Sequence, residues 1–297
     1  MLPAGRAALP TIALAAVALA TSATGCGATA HLQAGPRRPA AGGPVVEVVA
    51  SAYPLAQLAS YVGGKDVRVA DLAGPGVAPR GLELTAAQRQ EVARAAVVLD
   101  VGDGYQPEVE TAPARRRLSL LPAVSRQARP YQFWLDPSLM ARAATQVAAV
   151  LAQVAPSARA QFANGARDFQ SVASSLQADF QSTFSQCNRN QLVTADDAFG
   201  RMAAAYGLVD IAVDRSPVAQ VVALVKKDHV PVIFSEVGVT SARVGKVAAA
   251  AGVPVKSLDP LEVAPAEGAR PQSYFDVMEK DLTAMESALA CDISSGY

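Results

Sequence analysis

Half of the 297 residues are apolar but only 5% are aromatic, and 26 basic side chains balance 26 acidic ones. So apolar a chain is not intrinsically disordered, and zero net charge leaves no basic excess for binding nucleic acid. Two His in the whole chain exclude a three-His zinc cage and a two-His helical metal motif.

Residues 1–25 read as an export signal. Arg6 supplies the positive start. Residues 13–20 (ALAAVALA) centre an apolar stretch too short to span a bilayer, and Ala23-Thr24-Gly25 are small residues ahead of Cys26. Cys26 is either the acylated first residue of a mature lipoprotein or incidental to an ordinary secretory signal. Residues 26–44 are small, Gly- and Pro-rich and aperiodic, the composition of a flexible tether that also carries His31. Two further cysteines, Cys187 and Cys291, follow. In an exported chain such a pair suggests a disulfide, whose closed loop of about 100 residues would contribute ~4–5 kcal/mol. Two separate buried thiols are the alternative.

From residue 45 strands alternate with helices. Strands are expected at 45–51, 66–72, 96–101 and 117–121, with a helix at 53–62 and another starting at Thr85, where Gln88 completes a capping box. Asp136-Pro137 marks a helix start reaching about residue 153. A longer helix over 157–185 carries Phe162, Phe169, Val172, Leu176, Phe180 and Phe184 as one apolar stripe. A second series follows, with strands at 190–195, 208–213, 230–235 and 254–258 and helices at 197–206, 217–228 and 240–251. A last helix over 271–290 has Tyr274, Met278, Leu282, Met285 and Leu289 on one face. Continuous apolar strands alternating with helices imply parallel sheets covered on both faces. The expectation is an α/β protein of two lobes, each a roughly four-stranded parallel sheet, bridged by one long rigid helix. The segments are an N-terminal lobe at 45–136, connecting helices at 137–186 and a C-terminal lobe at 187–297.

In open α/β sheets ligands sit beyond the carboxyl ends of the strands. The polar residues there are Arg80, Glu83, Asp103 and Gln132 in the first lobe, and Asp196, Asp197, Asp214, Arg215, Glu236 and Asp259 in the second. Carboxylates on four loops of the second lobe are the main functional signal.

Six fragments in order carry a resemblance: VVASAYPLAQLASYVGG (48–64), PGVAPRGLELT (75–85), FWLDP (133–137), VTADDAFGRMAAAYGL (193–208), FSE (234–236) and SLDPL (257–261). With them the chain resembles the zinc/manganese solute-binding lipoproteins of ABC transporters over residues 45–291. The resemblance implies a cluster A-I-like periplasmic-binding fold with two lobes on a long helix, a lipid anchor at Cys26 and a Cys187–Cys291 disulfide. It also implies a divalent cation, zinc or manganese, held by three His and one carboxylate. Here Arg80, Gln132 and Asp196 stand at the three His positions, and only Asp259 matches the usual acid. The loop over 111–132 contains no His.

Arg80 cannot coordinate a cation, because guanidinium has no free lone pair and stays charged. Asp259, Asp196, Gln132 and Glu236 offer oxygen only, which suits Mn²⁺, Mg²⁺ or Ca²⁺ better than Zn²⁺. The expected function is the capture component of a metal importer, monomeric, anchored to the outer face of the cytoplasmic membrane and docking on an ABC permease. The alternative is an accessory lipoprotein without metal, in which Arg80 pairs with Asp196 or Asp259 in place of the cation. A hydrolase using paired carboxylates ranks below both, since no nucleophile or matched acid and base are visible, and no enzyme is expected. Asp136 and Asp197 are expected as helix caps, Trp134 as core, His229 as surface, and Arg115-Arg116-Arg117 as a solvated basic run.

Overall fold

The computed structural model describes residues 45–237, 241–266 and 272–291. The signal, Cys26, the tether and His31 lie outside them. Eight strands alternate with ten helices in the described residues. The first half runs β1 (Val46–Ala50), α1 (Tyr53–Gly63), β2 (Val67–Asp71), α2 (Ala86–Arg94), β3 (Val97–Asp100), α3 (Pro107–Thr111), β4 (Arg117–Ser119) and α4 (Leu120–Val124). Then come α5 (Pro137–Val154) and the long α6 (Arg159–Ser185). The second half is β5 (Gln191–Thr194), α7 (Gly200–Ala205), β6 (Val209–Ala212), α8 (Val218–Lys227), β7 (Ile233–Glu236), α9 (Ala242–Ala251), β8 (Val255–Leu258) and α10 (Tyr274–Leu289). All eight expected strands form; the short α3 and α4, five residues each, carry too little periodicity to be expected.

The first sheet is four-stranded and parallel, in the order β2-β1-β3-β4. In the second half β5 pairs with β6 and β7 with β8, all in parallel, and β5 lies beside β7. Hydrogen-bonded pairing stays within each pair of these four-residue strands, so the second lobe carries two ribbons rather than one continuous sheet.

Both faces of the central strands β1 and β3 are buried, which explains their apolar runs, whereas β2, β6 and β8 are partly exposed. Val48, Val97 and Leu99 face the main core, whereas Val49 and Val98 face a smaller cluster with Leu72, Val92 and Val109. The second half repeats this: Leu192 and Phe234 join the main core, and Val193 and Ile233 join Val213, Val221 and Val244. The main core thus continues from one lobe into the other beneath the strand ends.

Helix α6 supplies much of that continuity. Its 27 residues span roughly 40 Å at 1.5 Å each. The buried stripe is Phe162, Ala166, Phe169, Ala173, Leu176, Phe180 and Phe184. Val172 was expected on it but is 40% exposed. Ala173 takes the place because, counted from Phe169, a step of four residues turns about 40° past one revolution while a step of three falls about 60° short. Gly165 lies where α6 crosses α1: a Cβ there would be 3.0 Å from the carbonyl carbon and Cα of Val62 and closer still to its oxygen.

Asp136 caps α5, accepting from the Ser138 and Leu139 amides at 2.9 and 3.4 Å, and Thr85 with Gln88 forms the capping box of α2. Asp197 is not a cap. Helix α7 starts at Gly200, and Asp197 instead pairs with Arg215 at 2.6 Å. The basic run is also not wholly solvated. Arg117 Nη1 donates to the fully buried Asp100 at 2.6 Å, and Nη2 donates to the Ala112 carbonyl, because β4 lies beside β3 and projects Arg117 against it. His229 is exposed. Cys187 and Cys291 form the expected disulfide, tying the end of α6 to the end of α10.

Candidate functional site

One aromatic hub joins the first half of the chain to the loop after β8. Trp134, fully buried, donates from Nε1 to the Pro260 carbonyl at 2.8 Å, and the Tyr274 hydroxyl donates to the Trp134 carbonyl at 2.8 Å. This fixes the segment holding Tyr131 and Gln132 against the loop after β8.

In the first half the loop after β2 carries Arg80, and its position is set from β1. Gln106 is buried and donates from Nε2 to the carbonyls of Ser51 and Pro79, while Ser51 Oγ donates to Gln106 Oε1. The Gly81 amide donates to the Tyr105 carbonyl at 3.1 Å. Arg80 therefore lies over two rings, its Cζ 5.7 Å from the centre of Tyr105 and 5.1 Å from that of Tyr131. Arg129 Cζ is 4.8 Å from the Tyr131 ring. Stacking of this kind holds a guanidinium without neutralising it.

The second half contributes acids from three strand ends. Asp196, after β5, accepts from the Ala198 amide at 2.8 Å. Glu236 ends β7. Burial first, and then the nearby Asp196 carboxylate, push the Glu236 pKa up to about 9, and its Oε1 is buried without a hydrogen-bond partner. Glu262, three residues past Asp259, accepts from Gln132 Nε2. Burial pushes Glu262 up as well, countered by Gln132 and by the charge of Arg80. Tyr105 is 2% exposed; burial first, and then the charge of Glu262, raise its pKa, while the charge of Arg80 lowers it.

Of the residues anticipated from sequence, Arg80, Gln132, Asp196 and Glu236 are brought into electrostatic reach of one another through Glu262. Asp259 makes its contacts within its own loop and with α10: its Oδ1 accepts from the Leu261 amide at 2.9 Å, its own amide donates to Asp281, and the charge of Lys280 acts on it. The anticipated ion pair of Arg80 with Asp196 or Asp259 is not formed. The two tyrosine rings take the guanidinium instead, and its charge is felt by Glu262.

Glu262, Tyr105 and Tyr131 were not anticipated. Glu262 sits on the loop already flagged by Asp259, so its only sequence signal was proximity to that fragment. The tyrosines had none, since their place depends on where the Arg80 loop folds. Every donor of the group is oxygen. Among the described residues no three His, Cys, Asp or Glu side chains are already spaced to hold a metal ion.

A family profile described as "Zinc-uptake complex component A periplasmic" (ZnuA) matches residues 48–288. The zinc-binding lipoprotein AdcA of Streptococcus pneumoniae (strain ATCC BAA-255 / R6) is 24% identical over 276 residues, 81% of this chain and 55% of that protein. The high-affinity zinc uptake system protein ZnuA of Bacillus subtilis (strain 168) is 24% identical over 166 residues, 52% of each. The chain thus spans about half the length of these curated relatives. Among solved structures, the Zn(II)-bound ZnuA-like domain of Streptococcus pneumoniae AdcA superposes with a TM-score of 0.73 at 22% identity, covering 83% of this chain and 99% of that one. At such identity the likeness is one of fold.

Proposed function

The chain belongs to the zinc-uptake complex component A family, and from that premise we propose that it is the solute-binding component of an ABC importer. Its cargo is a divalent cation taken between the lobes and delivered to a membrane permease. The observation that supports this is that Asp196, Glu236 and Glu262 lie close enough for their charges to act on one another, with Gln132 bonded to Glu262, although no three of these acids are spaced as ligands before an ion arrives. A dication displaces the proton that burial and the nearby Asp196 charge hold on Glu236. Oxygen donors are of the type that suits Mn²⁺, although the relatives are named for zinc.

Residues 1–25 serve as the export signal in this reading, Cys26 as the lipid attachment site and 26–44 as the tether. That places the protein as a monomer on the outer face of the cytoplasmic membrane. Lobes at 45–136 and 187–297 close on the cation, and the helices of 137–186 limit their opening. Among the described residues no helix is long and apolar enough to cross a membrane.

Arg80 favours a second reading, an accessory lipoprotein that binds no metal, because a fixed positive charge beside the acids opposes cation entry. Calorimetric titration of the purified chain in detergent with Mn²⁺ and with Zn²⁺ separates the two. One-to-one binding at about 10 μM or tighter, lost in Asp196→Ala, supports cation capture. Absence of heat and of thermal shift with both ions overturns it in favour of the accessory role.

A further inference from the structure

Charge is segregated along the chain although its total is zero. Residues 111–167 hold eight Arg, no Lys and one acid, Asp136, which is buried as the cap of α5. Arg117 is bonded to Asp100. The other seven are exposed, and none of them makes an ion pair among the described residues. Asp168, which follows Arg167 on α6, is the first exposed acid after them.

Five of the seven lie along one face. The exposed positions of α5 are Arg142, Thr145, Gln146, Ala149 and Gln153, a single stripe at helical spacing. At one end of it Arg142 Nη1 donates to the Val124 carbonyl at 3.3 Å, and Arg142 and Arg126 line a hollow of about 520 Å³. At the other end Arg116 donates to Gln153 Oε1, and Arg159 and Arg167 line a second hollow of about 520 Å³ between α5 and α6. The chain enters the fold on this side as well. Residue 45 precedes β1, and β1, β3 and β4 are parallel neighbours. The start of β1 and Arg116 at the start of β4 therefore share one edge of the sheet, two strand spacings or roughly 10 Å apart across it.

We propose that this face is a docking surface for an anionic phospholipid bilayer, with α5 lying along the membrane and the guanidinium groups at its two ends receiving lipid phosphates. A guanidinium takes two phosphate oxygens at once and an ammonium does not, which suits a set made of Arg without Lys. The cations are spread along the roughly 17 Å of helix from Arg142 to Gln153 and over two hollows. They do not converge on one point, so they match a plane of headgroups better than a single soluble anion. The entry of the chain beside Arg116 brings whatever precedes residue 45 to the same side. The inference stands apart from the nature of the cargo, since no acid of the candidate site takes part. Docked in this way, the protein meets a partner in the same membrane in one fixed orientation.

The test is energy transfer from the purified full chain to vesicles that carry an acceptor-labelled lipid. Cys26→Ser leaves an introduced thiol as the only free one, since Cys187 and Cys291 are joined. A fluorophore is attached at Gln146→Cys on the exposed stripe of α5, or at Gln220→Cys on α8 of the second lobe. Vesicles are of phosphatidylcholine alone or mixed with phosphatidylglycerol. The expected result is transfer from position 146 well above that from position 220, only with phosphatidylglycerol present, and falling as salt rises. Arg116→Gln, Arg142→Gln and Arg159→Gln each weaken binding about fivefold, with melting curves like wild type because the side chains are exposed, and Lys226→Gln on α8 leaves binding unchanged. Equal transfer from both positions, or equal transfer with neutral and anionic vesicles, overturns the proposal. So does the absence of transfer from either vesicle, the result expected if the face instead receives an acidic protein. Displacement by glycerol phosphate at constant ionic strength also overturns it, since that marks a discrete anion pocket rather than a surface.

Discussion

Arg201 offers the sharpest test of how the second lobe positions the first. It is 6% exposed on α7 and reaches the segment leading to Tyr131 and Gln132. Nε and Nη2 donate to the Pro130 carbonyl at 2.9 and 2.6 Å, and Nη2 also donates to the Gln127 carbonyl at 2.8 Å. Nη1 adds Ser125 Oγ at 3.2 Å and Gln127 Oε1 at 3.3 Å. Arg201→Met keeps the packing of the stem and removes all five bonds. The Pro130 and Gln127 carbonyls lose their charged donor, but both residues are partly exposed and water replaces some of it. Charge-assisted bonds are each worth about 1.5–3 kcal/mol before that recovery, so a net loss of about 2–4 kcal/mol is expected. For a domain of this size that lowers Tm by roughly 4–16 °C, read by circular dichroism or calorimetry. Arg201→Lys, with the charge but not the planar fork, should fall between. A Met variant within about 0.5 kcal/mol of wild type would refute the idea that these bonds hold the two halves together.

Three further outcomes follow from the packing. Gly165→Ala places a methyl against the Val62 backbone, which cannot rotate away, so α1 and α6 must separate; the expected loss is about 1–3 kcal/mol in a denaturant melt. Arg117→Ala strands Asp100, which is fully buried with Oδ1 already unpartnered, and should cost about 3–5 kcal/mol, against a near-neutral Arg115→Ala control in the same melts. Asp71 is raised to about 6 by burial, with Oδ2 unpartnered. The folded state then binds more protons than the unfolded state between about pH 4 and 6, so this group costs stability as pH rises through that window. Asp71→Asn should match wild type near pH 4 and exceed it by up to about 2 kcal/mol above pH 6, checked by urea melts at the two pH values; equal differences at both would contradict the burial argument.

Elements with a dominant local signal were readable before folding. The eight strands declared themselves through apolar runs, α5 through Asp136-Pro137 and α2 through its capping box. Misreadings arose where two local readings competed. Asp197 looked like a cap, yet its neighbour Asp196 binds the Ala198 amide and Arg215 draws Asp197 into an ion pair. Val172 looked like part of a stripe that Ala173 completes. The basic residue Arg117 became an internal counter-ion because β4 pairs with β3, which is not a local property.

The candidate site divides along the same line. Sequence alone determined which donors were available, two His and a set of strand-end carboxylates, because composition limits coordination chemistry whatever the fold. It also placed those carboxylates at the ends where α/β sheets bind ligands. Only the tertiary structure decided which of them meet. It kept the contacts of Asp259 within its own loop and α10, brought Glu262 to Gln132, and laid Arg80 on Tyr105 and Tyr131 rather than on an acid. The reason is physical: a side chain's partner across the cleft depends on loop conformations and lobe packing fixed by residues far away, such as Gln106 and Trp134, and no local pattern encodes those distances.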